Sequence, residues 1–473
     1  MEDIDKYSLL QFKTGYDVLM SQVKHLRLEN EHLKKEIVTL QDKLNINSSN
    51  SSISPSTDFK KSKKTSKPRG GKRGGQEGRK GTSRALADIK DVNKVESVLP
   101  PELCSCGGQV IVDENAEVWR HQKFELPKIM PEITEYQMHQ GQCTKCNKKH
   151  RAALPAGVGR NMLGPRALAL LAQSSTTYNV TRKKVQKLFQ EWFGLKISLG
   201  CISESEARVA EYVEECYKAL ESALTRQASL NADETSHKQS GVKQFAWIFT
   251  NKDMTFLTIK PGRGKKVLKN LFPEGYSGDV TSDRYAAYNV FALENRQVCF
   301  AHLLRDFTRF SNSADSYSAK IGKGLLHQTE KLFILYHRRK LGKISEGKFL
   351  VGISEIKKRM DSLLYMGSNA FNIPRLNRFC KNLEKIRPAL WNFAYSKGQI
   401  EPTNNLAERD LRKFVIWRKI SFGSQSERGS RFMERMISIS ATCAKQGIDF
   451  SEFLIDSTNS FLAKTPQTIT LNI

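Results

Sequence analysis

Four leucines spaced seven apart, Leu19, Leu26, Leu33 and Leu40, begin the apolar pattern of the chain, and Val23, Asn30, Ile37 and Leu44 fill the alternate seam at the same interval. A strict seven-residue period over residues 16–46 predicts a short parallel coiled coil between two chains. Asn30 inside the seam would fix register at some cost in stability, and Glu29 and Lys34 flank it where an interhelical ion pair can form. The alternative is an amphipathic helix packed on its own chain. The pattern then stops at NSSNSSISPS, a polar, helix-breaking stretch. It returns in residues 95–155 as alternation: VIVDENAEVWRHQKFEL and ITEYQMHQGQ read as strands of a small β-rich unit. Residues 160–228 switch to helical spacing in GPRALALLAQSSTTY, VTRKKVQKLFQEWFG and SESEARVAEYVEECYKALESALTRQ, with Ser203 and Glu206 placed as a capping box. From residue 229 strands resume in SLNADETSHK, FAWIFTNKDMTFLTIK, SGDVTSDRYAAY and RQVCFAHLL. Residues 303–400 are again helical, and residues 401–455 hold EPTNNLAERDLRKFVIWRK and a last helix. The chain therefore reads as a multidomain α/β protein.

Charge narrows the class of partner. Lys and Arg number 76 against 49 acids, a net charge of +27, which calls for a polyanion. From Lys60 to Arg84 there are eleven basic residues and one acid, Glu77, among glycines and a proline that prevent helix. This segment is expected to be a flexible arm that tracks phosphates, through Lys60, Lys61, Lys63, Lys64, Arg69, Lys72, Arg73, Arg79 and Lys80. A second basic group, Arg182, Lys183 and Lys184, sits on the middle of three helices, where a helix-turn-helix reader would place it. No stretch approaches the ~20 apolar residues of a membrane span, and MEDIDKYSLL lacks a signal pattern, so the chain reads as intracellular.

The nine cysteines are an odd count, which argues against a disulfide framework. Cys104, Cys106, Cys143 and Cys146 stand as two pairs on turn-like segments, the pattern that tetrahedral Zn²⁺ takes. The first pair is C-x-C, one residue tighter than usual, and four free thiols are the alternative.

The acids carry the candidate chemistry. Asp233 follows the strand-like SLNA, Asp283 ends GDVTS, and Glu408 begins a helix capped by Thr403 or Asn404. Two strand-borne aspartates and a helical glutamate can converge to bind a pair of Mg²⁺ ions, with Mn²⁺ as a substitute, for phosphoryl transfer. At this level the alternative for Asp233 is an ordinary turn residue beside Glu234, and Asp279 competes with Asp283.

The blocks ADET, SDRYAAY, CFAHLLRDF, PTNNLAER and WRKISFGS, in this order after GGQEGRKG and the cysteine pairs, resemble the transposases of the bacterial insertion sequence 66 family. That family belongs to the DDE superfamily with a ribonuclease-H-like core, and the likeness runs from about residue 16 to 455. It implies a DNA transposase, a DDE-type polynucleotidyl transferase, whose catalytic, Mg²⁺-binding acids are Asp233, Asp283 and Glu408, choosing Asp283 over Asp279. It implies element ends and target DNA as partners, and accessory proteins of the same element. Asn404 and Asn405, one turn before Glu408, are candidates to orient it, with His302 nearby. Arg409 and Arg412 are candidates to grip the scissile strand, against ion pairing with Asp410. CSCGG is a departure from the family pattern, as is Arg79 where histidine is common.

The expected organisation is a coiled-coil helix over 1–46, a basic arm over 47–94 and a zinc unit over 95–155. A helical, helix-turn-helix-like connector follows over 156–228, then a catalytic core over 229–420 with a helical insertion at about 303–400, and a C-terminal helical element over 421–473. Three rival readings are a non-catalytic or repurposed DNA-binding protein, a nuclease without strand transfer, and a basic RNA-binding scaffold.

Overall fold

A computed structural model describes residues 2–47, 85–396 and 400–473. Contacts divide the described residues into one unit drawn from 2–47, 133–191, 195–396 and 400–473 and a second drawn from 85–132 with 192–194.

In the first unit, α1 (Glu2–Leu44) is one continuous helix, as the heptads predict. Leu19, Leu26, Leu33 and Leu40 are all exposed on the single chain. Asp42 near the helix end accepts from Ser313 Oγ and the Ala314 amide, each at about 3.2 Å, and pairs with Arg375 at 3.2 Å. β1 (Gln140–Gln142) and β2 (Lys149–Arg151) form a short antiparallel hairpin. The alternating residues 110–139 form no ladder among the described residues, which departs from the strands expected there. Alternation favours extended backbone, but a strand also needs a paired neighbour, and the ladder begins only at Gln140.

Four helices follow: α2 (Pro165–Thr176), α3 (Arg182–Phe193), α4 (Leu199–Tyr212) and α5 (Glu214–Ala223). Pro165 at the first position of α2 suits its missing N–H. α4 starts earlier than its expected capping box. Ser198 is the cap, accepting from the Cys201 amide at 3.0 Å, while Ser203 lies inside the helix. Glu206 is buried and bound to Arg182 instead of capping. The expected single helix over residues 203–227 is interrupted at Val213, between α4 and α5.

The core sheet is built from β3 (Ser229–Gln239), β4 (Val242–Thr250), β5 (Thr255–Lys260), then α6 (Lys265–Leu271), β6 (Asp279–Ser282) and β7 (Arg296–Val298). Its strand order is β5-β4-β3-β6-β7. β3, β4 and β5 are antiparallel neighbours, whereas β6 and β7 run parallel to β3. The β3–β4 turn is Ser240-Gly241, with positive φ at both residues, the two-residue turn whose twist suits a hairpin. One face carries Trp247 and Phe249 against Tyr288 and Phe272.

After β7 the chain enters α7 (Phe300–Ser311), α8 (Ser316–Lys340), α9 (Glu346–Ser368), α10 (Pro374–Lys385) and the short α11 (Asn392–Tyr395). These share an apolar core that includes Phe307, Leu325, Phe349, Ile353, Phe379 and Phe393. Gly322 lets α8 approach the backbone of α7 at Phe310–Ser311, where a Cβ would collide. The insertion leaves and returns at one place, since the Phe300 amide donates to Pro402 O at 2.8 Å. α12 (Asn405–Ser421), α13 (Glu427–Gln446) and α14 (Phe450–Ala463) complete the chain. α12 lies on β3 and β4, α13 on β5, and α14 on α2 and α4. No helix of the described residues is long and apolar enough to cross a membrane.

In the second unit, Leu103 bridges Gln109 and the Cys104 amide donates to Gly108 O at 2.8 Å, closing a tight turn around Cys104 and Cys106.

Candidate active site

β3 and β6 pair Ser229 with Asp279, Leu230 with Val280 and Asn231 with Thr281. Carried two residues further, this register sets Asp233 level with Asp283, just past the end of β6. Neighbouring strands lie about 4.8 Å apart, so the two aspartates start from adjacent backbone positions. Alternation along β3 decides which way Asp233 points. Asn231 and Thr235, two residues to either side, bond to residues of the segment 404–418. Asp233 therefore faces α12. Glu234 points to the opposite face, where Arg263 donates to it at 2.7–2.9 Å and the Tyr288 hydroxyl also bonds it. The two adjacent acids of ADET thus have separate surroundings.

Asp283 is held by its own turn: its Oδ1 accepts from the Tyr285 amide at 2.8 Å. The buried Arg296 donates to Asp283 O at 2.9 Å and to Asn289 Oδ1 at 2.6 Å, fixing the loop after β6. Asp279, its competitor in the sequence, sits at the start of β6 and accepts from Asn392 at 3.0 Å.

Glu408 arrives through α12. Asn404, fully buried, donates to Ala232 O at 2.7 Å and accepts from Asn231 at 3.0 Å. The expected side-chain cap of α12 does not form, because this amide is spent on β3. The Glu408 amide bonds to Asn404 O at 3.2 Å, so the glutamate sits one turn beyond the clamp. On the buried side of α12, Asp410 accepts from Thr250 at 2.7 Å and Thr255 at 3.1 Å and pairs with Lys445 at 2.8 Å. Further along, Arg418 donates to Thr235 at 2.9 Å. Asn404, Asp410 and Arg418 together fix the helix on the sheet.

The electrostatics agree with convergence. Burial, joined by the charges of Glu234, Asp283 and Glu408, pushes Asp233 up to about 8, although its carboxylate accepts from the Glu234 amide at 2.9 Å. Glu408 Oε1 is buried without a hydrogen-bond partner. Converging carboxylates and an orphaned buried oxygen are what a hard divalent cation would satisfy, and these donors fit Mg²⁺. His302 Nδ1 stands 3.6 Å from Glu408 Oε1 and is likewise orphaned. The ligand atoms of Cys299, His302 and Glu408 all lie within 4.8 Å of one another. Cys299, absent from the sequence candidates, could have been found from its three-residue spacing to His302 at a helix start. Asn231 and Arg296 carry no local signal of their roles.

The cationic candidates divide. Arg409 and Arg412 are exposed and make no ion pair among the described residues, because Asp410 is committed to Lys445. Asn405 is exposed at the start of α12. Arg182 spends two nitrogens on Glu206, at 2.9 and 2.6 Å, while Lys183 and Lys184 are exposed. Lys60, Lys61, Lys63, Lys64, Arg69, Lys72, Arg73, Arg79 and Lys80 lie outside the described residues.

Each cysteine pair is preorganised within its own unit. The Cys106 amide holds the Cys104 thiol below its ordinary value. The Cys146 and Lys145 amides do the same for Cys143, in a turn where the Asn147 amide donates to Cys143 O at 2.9 Å. Amides aimed at sulfur favour thiolate.

Three comparisons bear on this geometry. The family model described as Transposase IS66 family matches residues 160–432. A second model, a family of unknown function (DUF6444), matches residues 13–85. The chain is 24% identical over 276 residues to the uncharacterized protein y4qI of Sinorhizobium fredii, a match covering 52% of this chain and 49% of that protein. The chain thus spans about half the length of this curated relative.

Proposed function

Because the chain belongs to the IS66 family of transposases, we propose that Asp233, Asp283 and Glu408 are the acids at which it cuts and joins DNA. The order β5-β4-β3-β6-β7, with one antiparallel half and one parallel half, supports a ribonuclease-H-like core. The observation that carries the proposal is the parallel register of β3 and β6, which sets Asp233 level with Asp283 just past the end of β6, with α12 and its Glu408 held to β3 through Asn404. These three carboxylates would hold two Mg²⁺ ions, Mn²⁺ substituting. When bound, such ions activate the attacking water or 3′-hydroxyl and stabilise the leaving oxygen.

The protein's own groups do the rest. Asn404 sets the position of Glu408, with Asn405 and His302 in support. Arg296 fixes the backbone that carries Asp283. Arg409 and Arg412, free of internal partners among the described residues, grip the scissile strand through its phosphates. The first reaction is hydrolysis at an element end, exposing a 3′-hydroxyl; the second is attack of that hydroxyl on target DNA.

The remaining parts serve assembly. The exposed heptad leucines of α1 join two or more chains. The basic arm and the exposed Lys183 and Lys184 add phosphate contacts. The pairs Cys104–Cys106 and Cys143–Cys146 are each candidate ligands of structural Zn²⁺, which the amide-supported thiols favour. Accessory proteins of the element complete the partners, and the protein acts in the cytoplasm at the nucleoid. The domain limits set out from the sequence stand as part of this proposal.

The test is incubation of purified protein with DNA carrying an element end and a target plasmid, with and without Mg²⁺. Strand-transfer product that requires Mg²⁺ is expected. Cleavage without joining would favour the nuclease reading, and DNA binding without cleavage the non-catalytic one.

A further inference from the structure

Glu408 has a second set of neighbours besides the aspartates. Cys299 immediately precedes α7 and His302 stands one turn into it, so both side chains meet at the helix start. The insertion's return point brings Glu408 to the same place, because Phe300 bonds to Pro402 and Asn404 follows directly. The Cys299, His302 and Glu408 ligand atoms lie within 4.8 Å of one another, and His302 Nδ1 is 3.6 Å from Glu408 Oε1. A tetrahedral ion with a sulfur, a nitrogen and an oxygen ligand needs donor-to-donor spacings of about 3.3–3.6 Å, from bond lengths of about 2.0–2.3 Å. One spacing is already met, and the others close with side-chain movement of about 1 Å. Both His302 Nδ1 and Glu408 Oε1 are buried and unpartnered, so each forgoes a hydrogen bond that an ion would replace. The Asn404 amide donates to Cys299 Sγ at 3.1 Å, which only partly offsets the burial that pushes this thiol up to about 11, so an arriving cation has to displace the thiol proton.

We propose that Cys299, His302 and Glu408 form a site for a thiophilic divalent ion of the Zn²⁺ class, whose occupation withdraws Glu408 from Asp233 and Asp283. The donor set is one thiolate, one imidazole and one carboxylate, with a fourth position open. Such a set selects Zn²⁺ over Mg²⁺, because sulfur and nitrogen donors disfavour the hard ion. Sharing Glu408 makes the two ions antagonists. The antagonism rests on the catalytic reading above; the ion site itself does not.

The experiment titrates metal-stripped, full-length protein with Co²⁺ and reads thiolate-to-cobalt absorption, then displaces the Co²⁺ with Zn²⁺. The wild type is expected to bind one equivalent more than Cys299→Ser or His302→Ala. The pairs Cys104–Cys106 and Cys143–Cys146 are intact in all three proteins, so the difference isolates this site. Should Cys299→Ser fail to fold, His302→Ala decides alone. Equal stoichiometry in wild type and His302→Ala overturns the site. In a second arm, Zn²⁺ should inhibit Mg²⁺-dependent cleavage, with His302→Ala needing at least about 10-fold more Zn²⁺ relative to its own uninhibited rate. An unshifted Zn²⁺ dependence overturns the antagonism. If the wild type cleaves nothing, the catalytic reading fails while the cobalt stoichiometry still decides the site.

Discussion

Replacing Asn404 with alanine removes the link that carries Glu408 to the sheet. The wild-type amide donates to Ala232 O at 2.7 Å and accepts from Asn231 at 3.0 Å, with no solvent exposure to compensate its loss. Each bond contributes about 1 kcal/mol net, and each partner left stranded in the interior costs about 1–3 kcal/mol. Water entering the space would recover part of that, so the expected loss of folding stability is about 2–4 kcal/mol. The catalytic effect should be larger than stability alone gives. Glu408 lies one turn beyond the clamp, and a misplacement of about 1 Å at a reacting centre costs about 100-fold in rate. Asn404→Asp keeps the shape and the acceptor for Asn231, but lacks the N–H for Ala232 O and adds a charge beside Asp233; it should be at least as damaging. Denaturant unfolding gives the first quantity. Mg²⁺-dependent cleavage, measured where circular dichroism shows the variant folded, gives the second. A folded Asn404→Ala protein with wild-type turnover would show that Asn404 does not position Glu408.

Further outcomes follow from other parts of the fold. Lys445→Met leaves Asp410 buried with two threonine hydroxyls and no cation, which should cost about 3–5 kcal/mol. That loss should shrink on acidification, because without Lys445 burial alone acts to raise Asp410; a pH-independent loss would contradict this. His237 is buried against Phe414 and Trp417, and burial, with Arg418 adding, lowers it to about 4 from its ordinary 6.5. Its folded-state value is the depressed one, so its contribution is complete above pH ~6.5 and declines as pH falls towards 4, by at most about 3 kcal/mol. His237→Gln should flatten this acid limb in a stability–pH profile, and an unchanged limb would place its origin elsewhere. Arg409→Ala with Arg412→Ala should leave stability within about 0.5 kcal/mol. The pair should reduce the slope of log affinity for DNA against log salt by about 2, and deletion of residues 60–84 should flatten it further; unchanged slopes would remove these groups from the DNA interface.

The alternation of SLNADET and the strand-length run GDVTS made two strands legible, and two of the three acids fall there, Asp233 inside the first and Asp283 just past the end of the second. What the sequence hid was register. Nothing local says that Ser229 pairs with Asp279, which is what sets Asp233 beside Asp283. The 125-residue gap to Glu408 looked like distance, but the Phe300–Pro402 bond closes it at a single point. Asn404 was legible as a neighbour of Glu408 and was expected as a helix cap, whereas its bonds go to β3, a tertiary use that propensity does not encode. Of the strands expected at residues 110–126 and 133–142 only Gln140–Gln142 forms, for the opposite reason: the pattern is local, and pairing is not. Arg409 and Arg412 could be separated from Asp410 only once Lys445, far along the chain, was seen to take it.

Asp233, Asp283 and Glu408 are proposed to share divalent ions, which iron-mediated cleavage of the protein backbone tests. Replacing Mg²⁺ with Fe²⁺ and adding ascorbate and peroxide cuts backbone close to a bound ion. Cuts are expected beside residues 233, 283 and 408 in the same sample, suppressed by excess Mg²⁺ and lost in Asp233→Asn. Cutting at only one of these positions, or a pattern indifferent to both Mg²⁺ and Asp233→Asn, would contradict it.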